Sequence, residues 1–161
     1  MQFLPQTTLF EIEEGDKLRP KFNEHDLIPC ITQDHASGEV LMLGWMNPEA
    51  LAKTIETGLA HYYSRSRQKL WKKGEQSGLF QHVISLIIDD DQDAVLIKVK
   101  VDGGASCHVG YRSCFFRQLA RPTADTDFSL IFLEAQKTFD PVKAYGLAAS
   151  SLPSKSTRVA S

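Results

Sequence analysis

The sequence predicts an α+β domain with a β-rich, largely antiparallel core and one well-marked helix. Three observations carry that prediction. Residues 27–32, 39–45, 80–88 and 94–101 are apolar, β-branched runs of strand length. Short polar turns, rich in Asp, Ser and Gly, join several of them. One segment between the second and third runs carries both a helix start and a helix stop. With 161 residues the chain is long enough to bury one proper core.

Residues 1–26 mix apolar and acidic side chains without a firm period. Residues 27–32 read as a strand, Asp34-His35-Ala36-Ser37-Gly38 as a turn, and residues 39–45 as the second arm of a hairpin. Asn47-Pro48-Glu49 opens the helix: Asn caps, Pro is preset for the first helical position, and Glu suits the first turn. Ala50, Leu51, Thr54 and Ile55 supply its apolar face, and Gly58 ends it. Residues 60–66 are rich in aromatics and read as a strand, and residues 68–78 as a polar, glycine-punctuated loop. Residues 80–88 and 94–101 are strands, and Gly103-Gly104 is a turn. Residues 111–119 read as a last core strand. Residues 128–133 fit a strand, or a helical face continued by Ala135 and Phe139. Residues 150–161 are small and polar, a composition that favours disorder.

Several function classes are disfavoured by the totals. A formal net charge of −2 gives no global field for nucleic acid or an anionic membrane. No apolar run approaches the roughly 20 residues a membrane span needs. The first residues lack the basic and apolar regions of a signal peptide. Three cysteines are too few for a disulfide framework and point to a reducing, cytoplasmic setting. Cys30, between Pro29 and Ile31, reads as a buried structural thiol.

The chemistry concentrates between residues 89 and 117. Asp89, Asp90, Asp91 and Asp93 are hard oxygen donors that suit Mg²⁺ or Mn²⁺, while Cys107 and Cys114 are soft donors that suit Zn²⁺. On an extended segment Asp89, Asp91 and Asp93 project to one side; the alternative is a solvated acidic turn. An EF-hand does not fit, because its Gly and Glu positions hold Ala94 and Lys100. Two thiolates cannot complete a tetrahedral zinc shell, so a further ligand must come from elsewhere; the alternative is two buried thiols. His108, beside Cys107, is a candidate general acid or base. Upstream, Ser64-Arg65-Ser66-Arg67 with Lys73, Gly74 and Ser77 forms a basic, hydroxyl- and glycine-rich patch suited to a phosphorylated small molecule. A solvated basic loop is the alternative there.

These motifs, in this order, resemble phosphoribosyl-AMP cyclohydrolase, a histidine-biosynthesis enzyme family. The matching stretches are Gly38-Glu39-Val40-Leu41-Met42-Leu43, Trp45-Met46-Asn47-Pro48-Glu49-Ala50-Leu51, Ser64-Arg65-Ser66-Arg67, Leu70-Trp71 with Lys73-Gly74-Glu75, Ser77-Gly78, the aspartates through Asp93-Ala94, and Cys107-His108 through Arg117. The resemblance implies an intertwined homodimer that opens the purine ring of 1-(5-phosphoribosyl)-AMP by adding water across N1–C6. It implies Mg²⁺ on Asp89, Asp91 and Asp93, and a zinc shared between subunits on Cys107 and Cys114. It also implies a substrate phosphate on Ser64, Arg65, Ser66, Arg67, Lys73, Gly74 and Ser77, with His108 moving a proton. The resemblance implies that the family's third zinc cysteine is replaced here by Asp90, a harder donor of a type that can bind zinc, so weaker zinc binding is expected. The expectation is therefore zinc held by Asp90, Cys107 and Cys114, with a non-catalytic metal- or nucleotide-binding dimer, or a hydrolase of a related nucleotide, as the rival. Residues 1–121 are expected to form the cyclohydrolase-like domain and residues 122–161 a partly ordered extension.

Overall fold

The computed structural model describes residues 2–120 and 128–146. The expected disorder of residues 150–161 lies outside the described residues. The elements are α1 (Leu9–Glu13), β1 (Ile28–Asp34), β2 (Val40–Met46), α2 (Pro48–Thr57), β3 (His61–Ser64), β4 (Lys69–Lys72), β5 (Gln81–Ile88), β6 (Val95–Val101), β7 (Arg117–Leu119), β8 (Leu130–Phe132) and α3 (Pro141–Tyr145).

Four strands form the main sheet in the order β2-β1-β6-β5. The hairpins β1–β2 and β5–β6 are antiparallel, but β1 and β6 run parallel where the hairpins meet. The core is thus mixed at its centre. Ile28, Cys30, Thr32, Val95, Ile97 and Val99 are buried on one face. Ala50, Leu51, Ala60 and Tyr62 belong to the same apolar cluster. Gly44 makes this closure possible: a Cβ there would lie 2.6 Å from the Tyr62 ring. The opposite face carries an apolar row in register across all four strands, Leu43, Ile31, Leu96 and Ile87. Leu43 is 51% exposed, Ile87 42% and Ile31 37%.

The helix forms as its local signals dictate. Asn47 Oδ1 accepts from Ala50 N at 2.9 Å, and Gly58 closes the end in the left-handed region at φ 69°. Ala52 joins the buried face, whereas Ile55 is 36% exposed. Thr54 Oγ1 ties the helix to β3, donating to Ala50 O at 2.8 Å and accepting from His61 N at 2.9 Å.

Two expectations need correction. Residues 68–78 are not all loop, because Lys69–Lys72 is a strand paired with β3. Its apolar content is Leu70 and Trp71, and Trp71 stacks on its buried hairpin partner Tyr62 at 5.1 Å, a pairing that the surrounding polar residues hide. Residues 111–119 are not a core strand. Only Arg117–Leu119 is extended, pairing with β8 in an exposed two-stranded sheet. The preceding residues turn back through Gly110 at φ 104°, and Tyr111 and Phe116 stack at 4.1 Å in a small separate core with Cys107. The ambiguous segment at 128–133 is a strand over Leu130–Phe132.

Candidate active site

The cysteine loop is folded on itself by main-chain bonds. Ser106 N donates to Arg112 O at 2.9 Å, Cys107 N to Tyr111 O at 3.1 Å, and Gly110 N to Cys107 O at 3.0 Å. Its second limb is pinned to β2, with Cys114 N on Leu41 O at 2.7 Å and Ser113 Oγ on Val40 O at 2.8 Å. Arg112 Nε pairs with Glu39 Oε2 at 2.7 Å. Glu134, beyond β8, accepts from Arg112 N at 3.0 Å and Ser113 N at 3.2 Å. This clamp brings the two thiols close enough to couple electrostatically.

That closeness splits their acidities. Cys107 is drawn down to about 6, chiefly by its thiol neighbour Cys114, while Cys114 is pushed up and keeps its proton. One buried thiolate beside one thiol is a soft, half-ionised donor pair. Lys73 completes the cluster. Burial holds its ammonium below the usual range, and negative charge on the thiol pair opposes that shift. Its Nζ donates to Ser106 O. Lys73 therefore stands with the cysteines and is buried, unlike Arg65 and Arg67. His108 is exposed and follows Cys107 directly.

Behind Lys73 and Ser106 runs a buried polar chain that sequence reasoning missed. Thr32 Oγ1 and Tyr62 OH lie 2.7 Å apart, Tyr62 OH donates to Gln81 Oε1 at 2.7 Å, and Gln81 Nε2 donates to Ser106 Oγ at 3.0 Å. A glutamine in the buried phase of an apolar strand was the available signal, since buried polar groups require partners.

The acidic segment departs from the extended reading. Gln92 sits at φ 59° and its N bonds Asp89 O at 3.3 Å, so residues 89–92 turn instead of alternating. The turn gathers carboxylate oxygens of Asp89, Asp90 and Asp91 within 4.8 Å of one another. Asp93 remains nearby: burial, Asp91 and Asp89 all push its pKa up. Lys21 Nζ reaches Asp91 Oδ2 at 3.0 Å and Asp93 Oδ2 at 3.7 Å. The donor chemistry fits a hard divalent cation. Among the described residues of one chain this is the only group of three or more such ligands, so Asp90 does not meet Cys107 and Cys114 within the protomer.

The basic residues form a turn between β3 and β4. Arg67 Nε donates to Ser64 Oγ at 3.3 Å, and Ser66 Oγ is 3.5 Å from Ser64 Oγ. Arg65 lies over the Trp45 ring at 4.9 Å. Gly74, at φ 92°, passes so close to Phe80 that a Cβ would sit 2.5 Å from its backbone N. Ser77 lines a cleft of about 360 Å³ with Leu79, Phe139 and Lys143.

Residues 42–116, which hold the basic turn, Lys73, the acidic turn and both thiols, match the family model for phosphoribosyl-AMP cyclohydrolase. A phosphoribosyl-AMP cyclohydrolase from Rhodopseudomonas palustris strain BisA53 is 54% identical over 136 residues, 84% of this chain and 91% of that relative. One from Methanococcoides burtonii is 53% identical over 125 residues, 78% of this chain and 94% of that relative. The chain belongs to the phosphoribosyl-AMP cyclohydrolase family. A further member, from Nitrobacter winogradskyi, is 48% identical over 135 residues, 84% of this chain and 92% of that relative. The cyclohydrolase match runs through the pinned cysteine loop, whereas Lys21 and Glu134 lie outside the residues that the family model covers. Among the described residues no helix is long and apolar enough to cross a membrane.

Proposed function

We propose that the chain opens the six-membered purine ring of 1-(5-phosphoribosyl)-AMP by adding water across N1–C6, within histidine biosynthesis, as a Zn²⁺- and Mg²⁺-dependent homodimer in the cytoplasm. Family membership gives the reaction. The observation that carries the metal reading is the folded cysteine loop, pinned to β2, which brings Cys107 and Cys114 together so that Cys114 draws the Cys107 thiol down. A thiolate available at neutral pH is what a zinc ligand must be.

Cys107 and Cys114 supply two soft donors from one protomer, and Asp90 the third from the partner subunit. A site that one chain leaves incomplete, together with the apolar row Leu43, Ile31, Leu96 and Ile87, supports the dimer. Bound zinc would supply a polarised water whose pKa falls to roughly 7, and Mg²⁺ on Asp89, Asp91 and Asp93 would offset phosphate charge. His108, exposed beside Cys107, carries the proton that N1 takes up as its bond to C6 breaks; its accessibility supports that role. Lys73 adds positive charge beside the thiols. Ser64, Arg65, Ser66 and Arg67 on their turn, with Ser77 on the cleft, grip a substrate phosphate, and buried Gly74 lets the intervening backbone pass close to Phe80.

Turnover of phosphoribosyl-AMP with both metals supplied tests this reading, following the ring-opened product by absorbance. Product formation that disappears in His108→Ala fits it. Zinc-loaded protein that yields no product favours the non-catalytic rival, and turnover of a different nucleotide on a substrate panel favours a related hydrolase.

A further inference from the structure

The segment ahead of β1 is docked on the acidic turn through one residue, Gln92. This side chain is 4% exposed although it sits among four aspartates. Its Oε1 accepts from Arg19 N at 2.7 Å, and its Nε2 donates to Ile12 O at 3.1 Å and Lys17 O at 3.2 Å. Its main-chain O accepts from Lys21 N at 2.7 Å. Arg19 in turn holds residues further upstream, its Nη1 donating to Pro5 O at 2.6 Å. Four bonds to one residue from a segment some seventy positions away fix where Lys21 begins. From there its ammonium reaches Asp91 Oδ2 at 3.0 Å and Asp93 Oδ2 at 3.7 Å.

We propose that Lys21, carried by this docked arm, is the built-in cation of the acidic turn: it holds Asp91 and Asp93 together before a divalent ion binds and yields that contact when one does. The ammonium neutralises the Asp91 and Asp93 carboxylates, and Asp91 also belongs to the clustered carboxylates that would face a divalent ion, so the two cations compete. Metal occupancy and the Lys21 contact are then coupled, and the coupling is reciprocal. The inference rests on the reading of Asp89 to Asp93 as a divalent-cation turn. Lys21 is a positioning residue here, not a catalytic one.

Mn²⁺ is the probe, titrated into the full-length, metal-stripped protein and read as free Mn²⁺ by electron paramagnetic resonance. Lys21→Met keeps the apolar stem and removes the charge. The expected result is Mn²⁺ binding about two- to tenfold tighter than wild type, because a half-exposed ammonium on two carboxylates is a modest competitor. The gain shrinks as salt rises, since screening weakens the competing pair. Lys21→Arg restores wild-type affinity. Asp91→Asn is the control for the turn itself. If Asp91→Asn weakens Mn²⁺ binding while Lys21→Met leaves it unchanged or weaker, the competition is wrong and the metal turn stands. If wild type binds no Mn²⁺, or Asp91→Asn has no effect, the metal turn and the inference fall together.

Discussion

Replacing Tyr62 by Phe removes one oxygen from the centre of the buried chain that leads to the cysteines. Tyr62 is fully buried, and its hydroxyl makes two hydrogen bonds, each of 2.7 Å, to Thr32 and Gln81. The ring keeps its stack on Trp71, so apolar packing is nearly unchanged. The loss falls on the partners. Gln81 Oε1 has no other protein donor among the described hydrogen bonds, and the Thr32 hydroxyl keeps only a contact with Cys30. Leaving a buried polar group unsatisfied costs about 1–3 kcal/mol, so two partly stranded groups give about 2–4 kcal/mol. That is a large part of a typical domain stability of about 5–15 kcal/mol. Urea unfolding measures it as a lower midpoint with an unchanged slope. The effect also reaches the site. Gln81 Nε2 holds Ser106 Oγ, and Ser106 O holds Lys73, so zinc affinity falls in the same variant. In a double-mutant cycle, Tyr62→Phe and Gln81→Leu cost less together than the sum of each alone. A stability change below about 0.5 kcal/mol would refute the reasoning, because the chain would then be exchanging with water.

Other outcomes follow from the same geometry. Metal-free protein titrated by thiolate absorbance shows one step near 6 from Cys107 and none from Cys114 before strongly alkaline pH, and Cys114→Ala moves the step back toward 9. Because folding depresses the Cys107 value from 9.0 to about 6, its contribution to metal-free stability is complete above 9 and is lost as pH falls through 6. Leu43→Glu places a charge in the apolar row, so the proposed dimer is expected to become a monomer in sedimentation velocity, with the secondary structure unchanged by circular dichroism. Gly44→Ala drives a methyl to 2.6 Å from the buried Tyr62 ring and lowers stability by about 1–3 kcal/mol in thermal unfolding.

Legibility in the sequence tracked how local each signal was. Asn47, Pro48 and Gly58 specify α2 within a dozen residues, and its limits came out as read. The strands β1, β2, β5 and β6 announce themselves by apolar runs of strand length, and on β1 and β6 the core-facing residues follow the alternation, whereas β2 buries adjacent Leu41 and Met42. The parallel meeting of β1 and β6 was invisible, because nothing local encodes which hairpin edges join. β4 was missed because Lys69, Lys72 and the polar residues around them mask Leu70 and Trp71, although Trp71 is the hairpin partner of Tyr62. The aspartates illustrate a wrong premise: alternation presumes an extended backbone, and Gln92 at positive φ breaks it. Lys73 shows the limit of reading charge by composition. In sequence it belongs with Arg65 and Arg67, yet burial places it against the thiols. Lys21 and Glu134 touch the two ligand segments from far along the chain, and no spacing rule reaches them.

The shared zinc shell is tested most directly by counting zinc per protomer after mild chelation in wild type and in Asp90→Ala. The account predicts about one zinc retained by wild type. It predicts loss of most of that zinc from the variant, whose Cys107 and Cys114 alone cannot complete the shell. Equal retention in both would remove Asp90 from the shell and contradict the account.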